Sequence, residues 1–166
     1  MLFRSSISGR PRPLLAESSR TVLSFHGASA NHAEHSYRAE ILLESNFLDN
    51  AGMVYDFGLM KRNIGCIIDS FDHCTTIFRD DNEEYKNDLK KHSARWIEIP
   101  LNPSAEQFCR IFFVMIDRLL KTTQMQNGER EVKLHSVIVH ETDTGYAQCF
   151  REDAYNAKMG FLYKNF

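Results

Sequence analysis

The spacing of apolar residues predicts a strand followed by a long amphipathic helix in the first half of the chain. From Tyr37 to Leu43 apolar and polar side chains nearly alternate, which is the period of a strand with one buried face. Asp56 stands where a helix N-cap is expected. Apolar residues then recur at helical spacing: Phe57, Met60, Ile64, Ile67, Ile68 and Phe71. One face of this helix is therefore expected to pack on an apolar surface.

The second half of the chain again passes from helical to extended spacing. An Asn-Pro-Ser helix start at residues 102–104 precedes an apolar stripe that continues to about residue 121: Phe108, Ile111, Phe112, Met115, Ile116 and Leu119. A break at Asn127-Gly128 is followed by a β-branched run over about 132–141, with residues 145–150 as its hairpin partner. The pattern indicates an α+β domain in which two helices cover one face of an antiparallel sheet.

The remaining segments are predicted to be irregular or short. Residues 79–92 are strongly charged and predict an exposed loop, with at most a short helix, whereas residues 96–99 predict a partly buried extended segment. A small sheet of this kind has open edges, so association with further copies through strand addition is expected.

Composition narrows the class of protein. A chain of 166 residues with 43% hydrophobic content suits one compact domain, and a net charge of −2 argues against a nucleic-acid partner. No apolar run of about 18 residues or more predicts a membrane span. Four scattered cysteines indicate reduced thiols in the cytoplasm. The first 20 residues are rich in Arg and Ser like a transit peptide, but Pro11 and Pro13 interrupt any amphipathic helix, so a divergent or disordered start is expected.

Asp72-His73 follows the first predicted helix and is a candidate acid/base pair. A carboxylate can orient an imidazole for proton transfer, a role that suits histidine chemistry near neutral pH. The alternative is a helix C-cap without catalytic meaning, which a two-residue motif does not exclude. Cys74 follows directly, as a third proton-transfer group or as a small buried thiol.

Glu141 ends the β-branched run, which fixes its carboxylate at a strand terminus. A fixed carboxylate accepts two parallel N–H bonds and so matches an amidine-like edge, such as that of a pterin or guanine. An acid in a hairpin turn is the alternative. Three histidines upstream, His26, His32 and His35, form a possible zinc set. On a single strand His26 and His32 would share a face that His35 would not.

The order of several short motifs resembles the family of 6-pyruvoyl-tetrahydropterin synthases and 6-carboxytetrahydropterin synthases. The resembling segments span residues 35 to 150 in the family's order: His35-Ser36-Tyr37, Gly52-Met53-Val54-Tyr55-Asp56-Phe57 with Lys61, Phe71-Asp72-His73, Asn102-Pro103-Ser104-Ala105-Glu106, and Glu141-Thr142. The resemblance implies a T-fold domain over residues 35–166, with a four-stranded antiparallel sheet and two helices on one face. Residues 1–34 do not match it and are expected to form a divergent or disordered segment.

The resemblance also implies a reaction. A family member of this type is a zinc-dependent lyase that assembles into homohexamers and acts on 7,8-dihydroneopterin triphosphate. The bacterial members resembling this chain release triphosphate and acetaldehyde to give 6-carboxy-5,6,7,8-tetrahydropterin on the route to queuosine. A 6-pyruvoyl-tetrahydropterin synthase is the alternative product class, and a catalytically impaired module that binds a pterin or purine is a third possibility.

Carried over by motif, Asp72 and His73 match the family's proton-transfer pair, Glu141 with Thr142 matches its pterin-binding position, and His32 and His35 are the metal ligands implied for Zn²⁺. Two features depart from the family. The His-Gly-His motif reads Ala33-Glu34-His35 here, and no cysteine precedes Cys66 to serve as the catalytic thiol. The departures fit either a disturbed N-terminal sequence ahead of an intact domain, or divergence to a pterin-binding protein without catalysis.

Overall fold

The fold is an α+β arrangement, with six strands and four helices in the part of the chain that the structure describes. A computed structural model describes residues 17–28, 34–142, 144–160 and 162. The strands are β1 (Glu17–Ala28), β2 (Glu34–Ser45), β3 (Cys74–Phe78), β4 (Trp96–Ile99), β5 (Lys133–His140) and β6 (Tyr146–Cys149). The helices are α1 (Phe57–Asp69), α2 (Glu83–His92), α3 (Ala105–Thr122) and α4 (Arg151–Ala154), followed by a 3-10 turn at Ala157–Met159.

All six strands belong to one mixed sheet, in the order β4-β3-β1-β2-β5-β6. The pairs β1–β2, β2–β5 and β5–β6 are antiparallel, whereas β3 runs parallel to both β1 and β4. The predicted α+β class is confirmed. The prediction of a four-stranded antiparallel sheet is wrong, because β3 and β4 add a parallel pair at one side.

Strands β1 and β2 form the longest pairing in the sheet and define its two faces. Phe25 lies opposite Tyr37 in the register, and their rings stack 5.0 Å apart on the face covered by α1 and α3. The alternate residues His26 and Arg38 are exposed on the other face. The domain boundary predicted at residue 34 coincides with the start of β2, and β1 lies ahead of it.

Helix α1 begins at its predicted cap, Asp56, and α3 begins after Ser104, within the segment predicted to start a helix. The Asp56 carboxylate accepts a hydrogen bond from the Leu59 N–H at 2.8 Å, and the Ser104 hydroxyl accepts one from the Gln107 N–H at 3.4 Å. Both helices bury most of their apolar stripes against the sheet, but Phe57, the first residue of the α1 stripe, is 50% exposed. Residues 83–92, predicted as part of an exposed loop, form the helix α2, because Asn82 caps it and its ends carry acidic and basic residues that suit the helix dipole.

Two other predictions from composition can be compared with the structure. All four cysteines are free thiols. Across the described ranges, no helix has both the length and the apolar content needed to cross a bilayer.

Candidate functional site

Polar side chains cover one end of the sheet on the face opposite α1 and α3. Arg38 on β2 lies opposite His140 on β5, which in turn lies opposite Tyr146 on β6. The rings of His140 and Tyr146 are 5.5 Å apart, and Tyr146 is 59% exposed. Two residue pairs nearer the end of the sheet, and on the same face, His26 on β1 lies opposite Ser36 on β2. These neighbours form a continuous polar surface.

Asp72 and His73 reach this end of the sheet through a sharp turn after α1. His73 adopts a left-handed backbone conformation with φ of 51°, and its N–H donates to the carbonyl of His26 at 2.6 Å. Such a conformation is uncommon for a residue with a side chain, and it depends on the surrounding contacts. Arg95 supplies two of these contacts, since its guanidinium donates to the carbonyls of Ser70 and Asp72 at 2.9 and 3.0 Å.

The Asp72 carboxylate is shared by two imidazoles. One oxygen, Oδ1, accepts the backbone N–H of His26 at 2.7 Å and lies 3.2 Å from His26 Nδ1. The other oxygen, Oδ2, lies 2.9 Å from His73 Nδ1. The two rings are 4.9 Å apart. The adjacent Asp72 and His73 are the predicted pair, whereas no pattern in the sequence indicates His26 as the third member of this group.

Hydrogen bonding keeps the Asp72 carboxylate ionised. The backbone N–H of His26 is the largest influence, and together with both imidazoles it lowers the pKa of Asp72 to about 2 despite partial burial. An ionised carboxylate is an acceptor only, so each imidazole must present an N–H at Nδ1 when it bonds to Asp72. The Nε2 atom of each ring is then the nitrogen left for other chemistry. This group can move protons, and its role stays a prediction.

Glu141 and Thr142, the predicted pterin-binding residues, line a pocket beside this group. The pocket has a volume of about 360 Å³ and is bounded by Ser36, Arg38, His140, Glu141 and Thr142. Because Ser36 lies opposite His26, the pocket and the imidazole group occupy the same end of the sheet.

A core residue, Tyr37, holds the carboxylate of Glu141. The Tyr37 hydroxyl donates a hydrogen bond to it, and burial together with the charge of Glu141 raises the pKa of Tyr37 to about 12. The following turn is closed by the Gly145 N–H, which donates to the Thr142 hydroxyl at 2.7 Å, and by the Glu141 N–H, which donates to the Gly145 carbonyl at 3.1 Å. These contacts restrain Glu141 as an acceptor just after the end of β5, and its role in binding stays a prediction.

Among the described residues, one group could hold a metal ion. His26, Asp72 and His73 offer ligand atoms that all lie within 4.8 Å of one another, and two imidazoles with a carboxylate are donors that zinc accepts. Of the predicted metal ligands, His32 lies outside the described residues. The backbone of His35 belongs to β2, where it lies opposite Gly27, and its side chain is outside the description.

The described thiols are poorly placed to replace the family's cysteine. Burial raises the pKa of Cys74, which is 2% exposed, and it also raises the pKa of Cys109 and Cys149. Cys66 is exposed, but it lies on α1 and its thiol donates to the Arg62 carbonyl at 2.9 Å. None of the four lines the pocket that contains Glu141.

Comparison with known proteins finds a matching family model and relatives named as pterin synthases. A model of the 6-pyruvoyl tetrahydropterin synthase family matches residues 17–152, from β1 into α4. Two relatives from Helicobacter pylori strains, both named 6-carboxy-5,6,7,8-tetrahydropterin synthase, are 38% and 37% identical over 122 residues. That match covers 74% of this chain, and it spans 61% of the length of those relatives.

Solved structures show the same fold at low sequence identity. An uncharacterized protein from Wolinella succinogenes is 17% identical with a TM-score of 0.63, and the match covers 84% of this chain and 100% of that one. The 6-pyruvoyltetrahydropterin synthase of Plasmodium vivax is 18% identical with a TM-score of 0.57, covering 81% of this chain and 98% of that one. The enzymes of the matched family are lyases. The family match over most of the described residues shows that this chain belongs to the 6-pyruvoyl tetrahydropterin synthase family.

Proposed function

We propose that the chain is a lyase of the 6-carboxy-5,6,7,8-tetrahydropterin synthase type. It would act on 7,8-dihydroneopterin triphosphate with loss of triphosphate and acetaldehyde, in the cytoplasm and on the route to queuosine. The observation that carries the proposal is the position of the Asp72 group beside a pocket that contains Glu141. The names of the Helicobacter pylori relatives support the 6-carboxy product over the 6-pyruvoyl product.

In this proposal Glu141 anchors the pterin ring. Its carboxylate would accept the ring N3–H and the 2-amino group as two parallel hydrogen bonds, while the Tyr37 hydroxyl keeps it in place. Thr142, at the rim of the same pocket, would add a polar contact to the bound ring. A bidentate contact of this kind fixes the orientation of the ring, and with it the position of the side chain that reacts.

The pair of Asp72 and His73 would move the proton. Asp72 holds Nδ1 of the imidazole at 2.9 Å, which leaves Nε2 to take a proton from substrate or return one. His73 is 75% exposed at its side chain, so a substrate can reach it. The ionised carboxylate stabilises the imidazolium that forms when the ring accepts a proton.

Zinc and a homohexamer belong to the same proposal. His32 and His35 are the proposed Zn²⁺ ligands, and His35 lies at the end of the β1–β2 pair where His26 is found. A bound zinc ion would act as a Lewis acid toward the oxygens of the substrate side chain. The described edge strands β4 and β6 are available for pairing with further copies.

The direct test is turnover of 7,8-dihydroneopterin triphosphate by the zinc-loaded chain, with products identified by mass spectrometry. We expect 6-carboxy-5,6,7,8-tetrahydropterin, acetaldehyde and triphosphate, and about one zinc per chain by elemental analysis. Formation of a 6-pyruvoyl product would show that the chain is a 6-pyruvoyl-tetrahydropterin synthase and would contradict the proposed 6-carboxy product. A preparation with zinc bound but no turnover of either kind would contradict the enzymatic proposal.

The position of the thiols favours a second candidate, a module that binds a pterin or purine without catalysis. The buried cysteines Cys74 and Cys149 are held protonated, and no described cysteine lines the pocket. This candidate predicts pterin binding that depends on Glu141 in the absence of turnover. Glu141→Ala should weaken pterin binding by about tenfold or more in either case, since a charged hydrogen-bonded contact is lost.

A further inference from the structure

Arg38 is a cation in the candidate pocket for which the described part of the chain supplies no partner. It is exposed on β2 and bounds the same cavity of about 360 Å³ as Glu141. The structure gives its guanidinium no hydrogen bond or ion pair with any residue that is described. Its strand neighbours include the carboxylate of Glu40, so the guanidinium stays unpaired among the described residues although an acid lies two positions away on the same face.

The acids near Arg38 are engaged elsewhere. Glu40, two residues further along β2 and 7% exposed, lies 2.9 Å from His140 through its Oε1 atom. Glu141 accepts the Tyr37 hydroxyl at the core side of the pocket. The pocket therefore contains two separate groups. One is the restrained carboxylate of Glu141, and the other is the guanidinium of Arg38, whose N–H donors no described residue occupies.

Two hydroxyls add to the donors of this half of the pocket. Ser36 and Thr142 line the same cavity as Arg38 and Glu141. The Thr142 oxygen accepts the Gly145 N–H, so its own proton can be donated outward. A guanidinium with hydroxyls around it matches an oxyanion, which accepts several hydrogen bonds at once.

We propose that Arg38 binds an oxyanion of the ligand whose ring is anchored by Glu141. This inference rests on the proposed function, since it assigns the second contact of the same pocket. The ligand then carries an amidine-like edge at one end and a phosphate or carboxylate group at the other. Arg38 acts as a specificity residue: it favours anionic pterins over the neutral ring, and it turns the reacting side chain toward the sheet end where His73 lies.

Equilibrium binding with three probes tests this assignment: pterin, pterin-6-carboxylate and inorganic tripolyphosphate. The variants are Arg38→Gln, Arg38→Lys and Glu141→Gln, with Arg62→Gln, an exposed arginine on α1, as the matched control. Arg38→Gln should weaken binding of an anionic probe by about 10- to 100-fold, the loss expected for a charge-assisted contact, and change pterin affinity less than twofold. Arg38→Lys should recover part of the loss because it keeps the charge without the planar fork.

Glu141→Gln should show the opposite pattern, with weaker pterin binding and unchanged tripolyphosphate binding. A loss for tripolyphosphate identifies the oxyanion as phosphate, and a loss confined to pterin-6-carboxylate identifies it as carboxylate. The proposal is overturned if Arg38→Gln binds both anions as the wild type does, or if the wild type binds neither. If the wild type binds tripolyphosphate through Arg38 but no pterin, the proposed function fails and the anion site stands.

Discussion

Asp72 and Asp117 have nearly the same pKa in very different surroundings. Asp117 lies on α3 with 3% of its surface exposed, whereas the side chain of Asp72 is 34% exposed. Burial raises the pKa of Asp117, but hydrogen bonds from Arg151, Lys121 and Tyr155 more than offset it and lower that pKa to about 2. The pKa of Asp72 is also lowered to about 2, chiefly by the backbone N–H of His26. A similar pKa thus arises from different sets of partners.

The partners distinguish a structural carboxylate from one suited to chemistry. Asp117 is held by Lys121 and Arg151, which stay charged at any pH near neutrality. Arg151 on α4 and Tyr155 directly after it also connect this part of the chain to α3. Asp72 is held by a backbone N–H and by His26 and His73, whose side chains are 56% and 75% exposed. Its partners can exchange protons with solvent or substrate without breaking the core. The comparison predicts opposite consequences for the two residues.

The largest expected effect is on activity, from Asp72→Asn. The amide keeps the shape and can still accept the His26 N–H, but it loses the charge that stabilises an imidazolium on His73. We expect kcat on 7,8-dihydroneopterin triphosphate to fall about 10²- to 10⁴-fold, the range for general acid/base groups. The free energy of unfolding should change by less than about 1 kcal/mol, since the site is exposed.

Asp69→Asn is the matched control for that measurement. Asp69 is an exposed carboxylate at the end of α1, three residues away, and the substitution should leave kcat within about twofold, as expected for a solvated surface group. Equal losses in the two variants would show that the site responds to local charge in general. An Asp72→Asn enzyme with unchanged kcat would remove Asp72 from the mechanism.

Asp117→Asn should act on stability instead. Removing the charge leaves Arg151 and Lys121 without their acceptor and costs Tyr155 a strong hydrogen bond. We expect the free energy of unfolding to fall by about 2–4 kcal/mol, below the full cost of a buried unpaired ion because both cations can reach water. Chemical denaturation measures this value. The comparison would fail if the stability were unchanged, or if the folded variant lost turnover as Asp72→Asn does.

The elements that could be predicted from the sequence are those in which the apolar spacing repeats over several turns and a capping residue marks the start. The start of α1 at Asp56 is confirmed, and α3 begins within the predicted segment 102–106 but after Pro103, which is expected in its first turn. The sequence does not predict β1, because its buried Thr21 is polar and its exposed Val22 is apolar, so burial does not follow an apolar/polar alternation there. Strands β3 and β4 have five and four residues, too few for a periodic signal, and their pairing is decided by contacts far apart in sequence.

The candidate site divides in the same way. Asp72 and His73 are adjacent in the chain, and Glu141 ends a β-branched strand, so local sequence identifies both. His26 is 46 residues from Asp72, and the two meet only because β1 runs parallel to β3 with Gly27 opposite Cys74. Such a register follows from the packed sheet, and a single sequence contains no local pattern that predicts it.

The pH dependence of stability should separate the two carboxylates further. Each has a folded pKa below the unfolded value, so each stabilises the fold above about pH 4, and this contribution is lost as the pH falls toward 2. For the buried Asp117 the contribution is on the order of 2 kcal/mol. Asp72 should contribute less, since solvent screens an exposed group.

Urea unfolding at pH 6, 4, 3 and 2 in wild type and both Asn variants measures this difference. Between pH 4 and 2 the Asp117→Asn variant should lose less stability than the wild type, because the group that titrates there is gone. The Asp72→Asn curve should run nearly parallel to the wild-type curve. If instead Asp72→Asn flattened the curve more, the exposed group would be the stronger structural carboxylate, and the comparison would be reversed.

The smallest expected effect comes from Lys121→Met, which removes one cation from Asp117. Lys121 Nζ lies 2.8 Å from Asp117 Oδ2 across one helical turn, but its side chain is 63% exposed. An exposed pair at this spacing contributes about 0.3–0.5 kcal/mol, and Met keeps the helix propensity and the apolar stem. Arg151→Met should cost several times more, because Arg151 donates to both oxygens of Asp117 and joins α4 to α3. Chemical denaturation of the two variants side by side measures the difference, and equal losses would mean that net positive charge near Asp117, rather than the inter-helix contact, stabilises this region.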